Sequence, residues 1–375
     1  MKVALTCLAF LLSSSLFAAE PTNSVPDTPE FKIEETIVTY REKLANDYVA
    51  FPAVLRTGEN EILLSYKRGY SHARDPGATL EIGRYDLDRG VFIQEPIQIG
   101  MPNRVMQMGE WIRFPNGTLG TFIDAHLINE ENQHIRIGLR YALSKDNGKT
   151  FGPLQRLGVV DRVEYGYLFD TVTIGQRLYA LIMTFEYLAG GRRTVDAVYT
   201  DDNGENWHFI RNLSEEFGDI PINESGLIPY RDGFIVVTRG YDSMARLHRV
   251  DKEFNLIKET NLTKITPSIS SYIGRPRLFE YRGAYFLIGR NWRAPDRALP
   301  MELGLLRIDP DDLTVEKQFV LDNLAKGKVT DGYYPFPMLI ETDEETLLNV
   351  IDYRAIFGNS PDIVRFQFRA DEFLD

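Results

Sequence analysis

Glu224, Arg275 and Tyr334 each stand at the entry of a short stretch with two apolar arms about a turn, as Glu224-Ser225, Arg275-Pro276 and Tyr334-Pro335. Phe51-Pro52 and Glu110 fall at the same place in two further stretches. The exits of these stretches carry Arg68, Asp124, Arg239, Arg290 and Arg354, and a polar loop after the first exit carries His72, Arg74 and Asp75. Arginines hold anions through paired N–H donors, and carboxylates and phenols pass protons. A ring of such residues is hard to explain as packing. Whether it forms depends on elements that bring together distant positions; Glu224, Arg275 and Tyr334 alone are up to 110 residues apart.

Those elements read as β-hairpins. NESGLIPYRDGFIVVTR (223–239) has an apolar pair at Leu227 and Ile228, a turn at Arg231 to Gly233 and a β-branched run from Ile235 to Thr238, which is strand and turn chemistry. The pattern recurs at 53–66, 112–123, 171–183, 277–289 and 338–351, giving six copies. The turn glycines Gly58, Gly117, Gly175, Gly233 and Gly283 lie 59, 58, 58 and 50 residues apart, and the sixth turn is near Glu344. One small sheet cannot bury both faces alone, so a repeat of this length predicts stacked blades. The expected fold is all-β, a six-bladed β-propeller of four-stranded antiparallel blades. Equivalent strand starts then point to one mouth of a central channel. The ring is expected to close with a terminal strand, VRFQFRA (364–370) lying late in the last sheet and TIVTY (36–40) completing it.

SKDNGKTF (144–151) and TDDNGENW (200–207) both fit Ser/Thr-x-Asp-x-Gly-x-x-aromatic. In such a turn the acid side chain accepts backbone N–H groups and the final ring packs beneath. A calcium loop is disfavoured, because the late bidentate Glu is missing. The pair resembles the Asp-box of sialidase-type propellers, and over most of the chain the segments in order resemble that family. The resemblance implies roles. NESGLI resembles the segment carrying a glutamate, here Glu224, that serves as base for a tyrosine nucleophile. GYYPFPML resembles the segment carrying that tyrosine, Tyr334, with Tyr333 the fallback. Arg68 and Asp75 resemble the family's arginine and its loop aspartate, the acid/base. Arg239 and Arg290 resemble two of three arginines clamping a sugar carboxylate, with Arg293 and Arg297 competing for the place of Arg290. Arg275 and Asp124 complete the expected substrate-binding set. Where sialidases begin the first blade with Arg-Ile-Pro, this chain has Ala50-Phe51-Pro52, so one clamp arm is absent unless Arg275 or Arg68 replaces it.

The implied activity is that of a retaining exo-glycosidase acting through tyrosine, an exception to the usual carboxylate pair, on a terminal and acidic sugar. A phenol approaches an anomeric centre bearing a carboxylate without like-charge repulsion, but its pKa near 10 requires a base. Two other classes stay open: a propeller hydrolase or lyase for another polysaccharide, and a non-catalytic glycan-binding propeller.

The chain, 43% hydrophobic and 12% aromatic, can bury one large core. Residues 1–19 have the form of a signal peptide, with Lys2, an apolar run and Ala18-Ala19, which implies a secreted or periplasmic protein. Residues 20–35 read as a leader and 36–375 as a single propeller domain. The only cysteine, Cys7, lies in the signal segment, so the mature chain needs no disulfide. A net charge of −12, or −13 without Lys2, argues against nucleic acid and anionic membranes as partners. No later run is long enough to span a membrane. The five histidines show no metal-ligand spacing, and neither a metal nor another cofactor is expected. The expected partner is a glycan or small sugar, and the expected state a monomer.

Overall fold

The computed structural model describes residues 26–37, 44, 46–161, 163–184, 194–292, 301–323, 329–358 and 360–375. Six antiparallel sheets of four or five strands form the six blades of a β-propeller. Their innermost strands are Tyr48–Arg56, Val105–Arg113, Val163–Ile174, Ile222–Tyr230, Gly274–Tyr281 and, in blade 6, Val329–Gly332 with Phe336–Glu341. Each touches the next around the ring, and blade 6 returns to blade 1. The closing blade takes its outermost strand, Ile33–Thr36, from the N-terminal side, with Ile33 paired to Gln367 and Thr36 to Val364. VRFQFRA accordingly lies in the third strand, Asp362–Arg369. Of the expected TIVTY only Thr36 belongs to the closing strand, and 38–40 lie outside the described residues.

Turns between the third and fourth strands fasten blades to one another. In SKDNGKTF, Ser144 Oγ donates to Asp146 and accepts from Gly148 N at 2.8 Å, while Asp146 Oδ1 accepts from Thr150 N at 2.9 Å. In TDDNGENW, Thr200, Asp202, Gly204 and Asn206 repeat these bonds. Both turns reach back to the preceding blade. A Cβ on Gly204 would stand 2.7 Å from the Phe114 ring, and one on Gly148 2.4 Å from Leu63. Asp86, Asp251 and Asp309 cap the corresponding turns of blades 1, 4 and 5 without the full motif.

Every inner strand is irregular part-way along. Register shifts fall between Ala50 and Ala53, Met106 and Met108, Tyr165 and Tyr167, Leu168 and Asp170, Ile222 and Ser225, and Gly274 and Arg277. In blade 6 the inner strand is broken at 333–335. A bulge changes which face later side chains occupy, so here it re-aims them at the channel. Phe51 and Arg275 hold left-handed φ values of 55° and 43°, each costing about 1–3 kcal/mol in a non-glycine residue.

Candidate active site

Glu110 is the hub of the channel. Its strand, Val105–Arg113, carries it into the interior at 4% exposure, where burial alone would raise its carboxyl. Arg275 and Arg277 outweigh that and hold it below the ordinary range. Oε1 accepts from the Arg275 guanidinium, and Oε2 accepts from Arg277 Nη2 at 2.8 Å. Oε1 also accepts from the Tyr334 hydroxyl at 2.9 Å. Tyr334 Oη is joined in turn to Tyr167 Oη by a short hydrogen bond. The Arg275 guanidinium lies 4.6 Å from the Tyr334 ring centre, and the Phe51 ring makes a T-shaped contact with it, the ring centres 5.7 Å apart. Burial lifts both phenols well above their usual pKa.

Above this cluster opens a cleft of about 930 Å³. Tyr167 and Glu224 are on its lining, as are Asp124, His126, His134 and Arg136. The wall comes partly from an extra strand of blade 2, His134–Arg136, paired to Leu119–Ile128. Burial pushes the Asp124 carboxyl up, against the pull of Arg136 at 2.9 Å. His126 and His134 are held at about 4, mainly by burial and by neighbouring positive charge, and are neutral at pH 7. His126 must donate from Nε2 to Ala73 O at 3.1 Å. That leaves Nδ1 an acceptor without a partner among the described residues. Burial would raise Glu224, but Arg239, Arg290 and the Arg275 N–H hold it at about 2. Its Oε2 accepts from Arg239 Nη1 at 2.6 Å and from Arg275 N at 2.8 Å. Arg275 thus bonds one carboxylate through its backbone and the other through its side chain.

No family model and no curated sequence matches the chain. Solved structures do. A protein of unknown function from Dyadobacter fermentans superposes with a TM-score of 0.69 at 14% identity, over 89% of this chain and 98% of that one. The K499G mutant of NanB sialidase from Streptococcus pneumoniae gives 0.64 at 10%, over 88% and 69%. The fold is that of the sialidase-like six-bladed β-propellers. An α-L-arabinanase from Penicillium chrysogenum, complexed with arabinobiose, shares the propeller at 0.58 and 12%, over 91% and 99%.

Within this sialidase-like propeller the expected site assembles only in part. Glu224, Arg239 and Arg290 do converge. Glu224 is not hydrogen-bonded to Tyr334, however; Glu110 takes that place. In blades 1, 4, 5 and 6 the first paired residue after the irregularity is Ala53, Ser225, Arg277 and Phe336. Glu224 is therefore level with Pro52, Pro276 and Pro335, one residue away from the alignment with Arg275 and Tyr334.

Asp75 departs furthest from its expected acid/base role. It is fully buried, paired to Lys67 Nζ at 2.9 Å, and accepts the N–H groups of Tyr70 and Ser71. It ties the loop 70–75 together and does not line the cleft. The arginines expected to clamp an acid are engaged elsewhere. Arg68 pairs with Asp47 at 2.5 Å and Glu81 at 3.0 Å, and Arg290 donates to Gly332 O at 3.0 Å. Arg239 and Arg275 hold Glu224 and Glu110. Arg354 pairs with Asp322 and Glu34. Tyr333, the fallback nucleophile, donates to Asp322 at 2.6 Å. Arg293 and Arg297 lie outside the described residues. Ala50 is buried, and the Phe51 ring packs among Tyr334, Tyr353 and His72.

Sequence reading missed Tyr167, Lys67 and Arg277. Arg277 carries a signal in hindsight, standing two residues after Arg275 on the same inner strand. It donates to Glu110 and to Pro335 O at 3.1 Å, and its guanidinium lies 4.1 Å from the Phe336 ring centre.

Proposed function

We propose that the protein is an exo-acting glycoside hydrolase whose nucleophile is a phenol at the cleft floor, and that its sugar carries no carboxylate. The observation that supports this best is the chain Tyr167–Tyr334–Glu110. A phenol needs a base to attack an anomeric carbon, and Glu110, kept ionised by two arginines, is within hydrogen-bond reach of one. Asp124, raised by burial on the wall of the same cleft, supplies the acid. It protonates the leaving oxygen and afterwards takes a proton from water, as general acid–base catalysis requires. Glu224, locked to Arg239, is a charged wall that accepts sugar hydroxyls. The neutral-sugar assignment rests on the engaged arginines and on Phe51 and Ala50 at the place of the missing clamp arm. The glycoside hydrolases that share the fold, a sialidase and an arabinanase, include one whose bound ligand is a neutral sugar.

A second reading, an acidic sugar, is favoured by Arg136. It lines the cleft, and once Asp124 is protonated Arg136 can turn to a substrate carboxylate. The test is a panel of neutral aryl glycosides, aryl uronides and an aryl sialoside. Turnover confined to neutral glycosides is expected, and turnover confined to acidic ones would establish the second reading. Binding of oligosaccharides with no turnover of any glycoside would leave a glycan-binding propeller.

A further inference from the structure

We infer that the phenol that bonds to the sugar is Tyr167, and that Tyr334 is a relay passing its proton to Glu110. The inference rests on the glycosidase reading above and assigns its reacting atom. Tyr167 lines the cleft, whereas Tyr334 does not. Tyr334 is 3% exposed, enclosed by the Phe51 ring, the Arg275 guanidinium and Met108 Sδ at 3.1 Å.

Proton direction follows from the partners. Tyr334 has one proton. Of its oxygen and sulfur neighbours the Glu110 carboxylate at 2.9 Å is the strongest acceptor, far stronger than a thioether. Tyr334 therefore donates to Glu110, and the short bond between the two phenols is donated by Tyr167. Tyr167 Oη then has its proton aimed into the protein and its remaining lone pair unused by it, as a nucleophile needs.

Local structure explains why this tyrosine faces the channel. In a regular strand Tyr165 and Tyr167 would share a face. The bulge between them separates the two. Tyr165 packs with Leu168 between blades 2 and 3 and donates to Asp196 at 2.8 Å, while Tyr167 joins Phe169 in the central core.

The steps balance. Tyr167 Oη bonds to the anomeric carbon as the bond to the leaving oxygen breaks and Asp124 protonates that oxygen. The Tyr167 proton moves to Tyr334 as the Tyr334 proton moves to Glu110. Water then attacks the anomeric carbon and gives a proton to Asp124. The Tyr167 oxygen departs and regains its proton from Tyr334, which regains one from Glu110.

The test is covalent trapping with an activated 2-deoxy-2-fluoro glycoside matching the best aryl substrate, followed by digestion and mass spectrometry of the full-length protein. An adduct on the Tyr167 peptide is expected. Tyr167→Phe should lose the adduct and lower kcat by roughly 10⁴-fold or more. Tyr334→Phe should still form it, with kcat reduced by about 10²–10⁴-fold and the alkaline limb of the rate profile displaced, a change that a packing role would not cause. Thermal unfolding of both variants checks that they are folded. An adduct on Tyr334 would overturn the assignment while sustaining tyrosine chemistry. Turnover that survives Tyr167→Phe would likewise overturn the assignment, and a carboxylate adduct would overturn both it and the phenol reading it rests on.

Discussion

Asp75→Ala separates a structural loop carboxylate from a catalytic one. Lys67 and Asp75 are both inaccessible to solvent, with Nζ and Oδ1 2.9 Å apart. Lys67 Nζ also donates to the Ser71 and His72 carbonyls at 2.7 and 2.9 Å. Removing the carboxylate leaves a buried ammonium with carbonyl partners only, a loss that typically costs about 3–5 kcal/mol. The N–H groups of Tyr70 and Ser71 lose their acceptor too, but they belong to the same network and their cost does not simply add. The unfolding midpoint should fall by roughly 4–7 °C, read by tryptophan fluorescence on heating. The double variant Lys67→Met/Asp75→Leu, which removes both charges, should recover most of the loss. If Asp75→Ala unfolds within about 1 kcal/mol of the native protein yet abolishes turnover, the structural reasoning fails and Asp75 is the acid its sequence position suggested.

Four further outcomes are expected. Gly69→Ala should destabilise the same loop, because its Cβ would lie 2.0 Å from Asp75 Oδ2; urea unfolding checks this. Gly204→Ala, at φ 86° against the Phe114 ring, should cost about 1–3 kcal/mol in the same assay. Glu224 is held at about 2 against 4.5 for a free carboxyl. The unfolded chain therefore binds more protons between these values, and the contribution, on the order of 3 kcal/mol, is complete above pH 4.5 and lost as pH falls through 2. Glu224→Gln should flatten stability over that window, measured by denaturant titration at pH 6 and 3. Ala50→Arg, which puts an arginine where the sialidase resemblance expects one, at a fully buried position, should destabilise the protein without creating sialoside turnover. Efficient turnover of an aryl sialoside by the variant would refute that.

The legible parts of the molecule are those whose causes are local. Hairpin turns and apolar arms recur at nearly fixed spacing, so the six blades could be read from composition and period. The two Asp turns could be read because donor, acceptor and glycine lie within five residues of one another. Their counterparts at Asp86, Asp251 and Asp309 were missed because the same capping is done without the serine or threonine and the paired glycine.

The site was less legible because its geometry is made by bulges. Ser225 is level with Ala53 and Arg277 and not with Pro276, which puts Glu224 one place out of line with Arg275 and Tyr334, and an extra residue before Tyr167 turns an ordinary strand tyrosine towards the channel. Glu110 reads from the sequence as a strand-entry residue, but nothing local shows that Arg275 and Arg277, more than 160 residues later, will hold it ionised. Lys67 at a strand exit reads as solvent-facing, and only the folded loop reveals its carboxylate partner.

The most direct test of phenol-based glycoside hydrolysis is the anomeric configuration of the first-formed sugar, followed by proton NMR in the opening minutes of hydrolysis of the best aryl glycoside. Two displacements, the first by a tyrosine and the second by water, should release the sugar with its configuration retained. Release with inverted configuration would mean that water attacks directly, and Tyr167, Tyr334 and Glu110 would not form the nucleophilic centre.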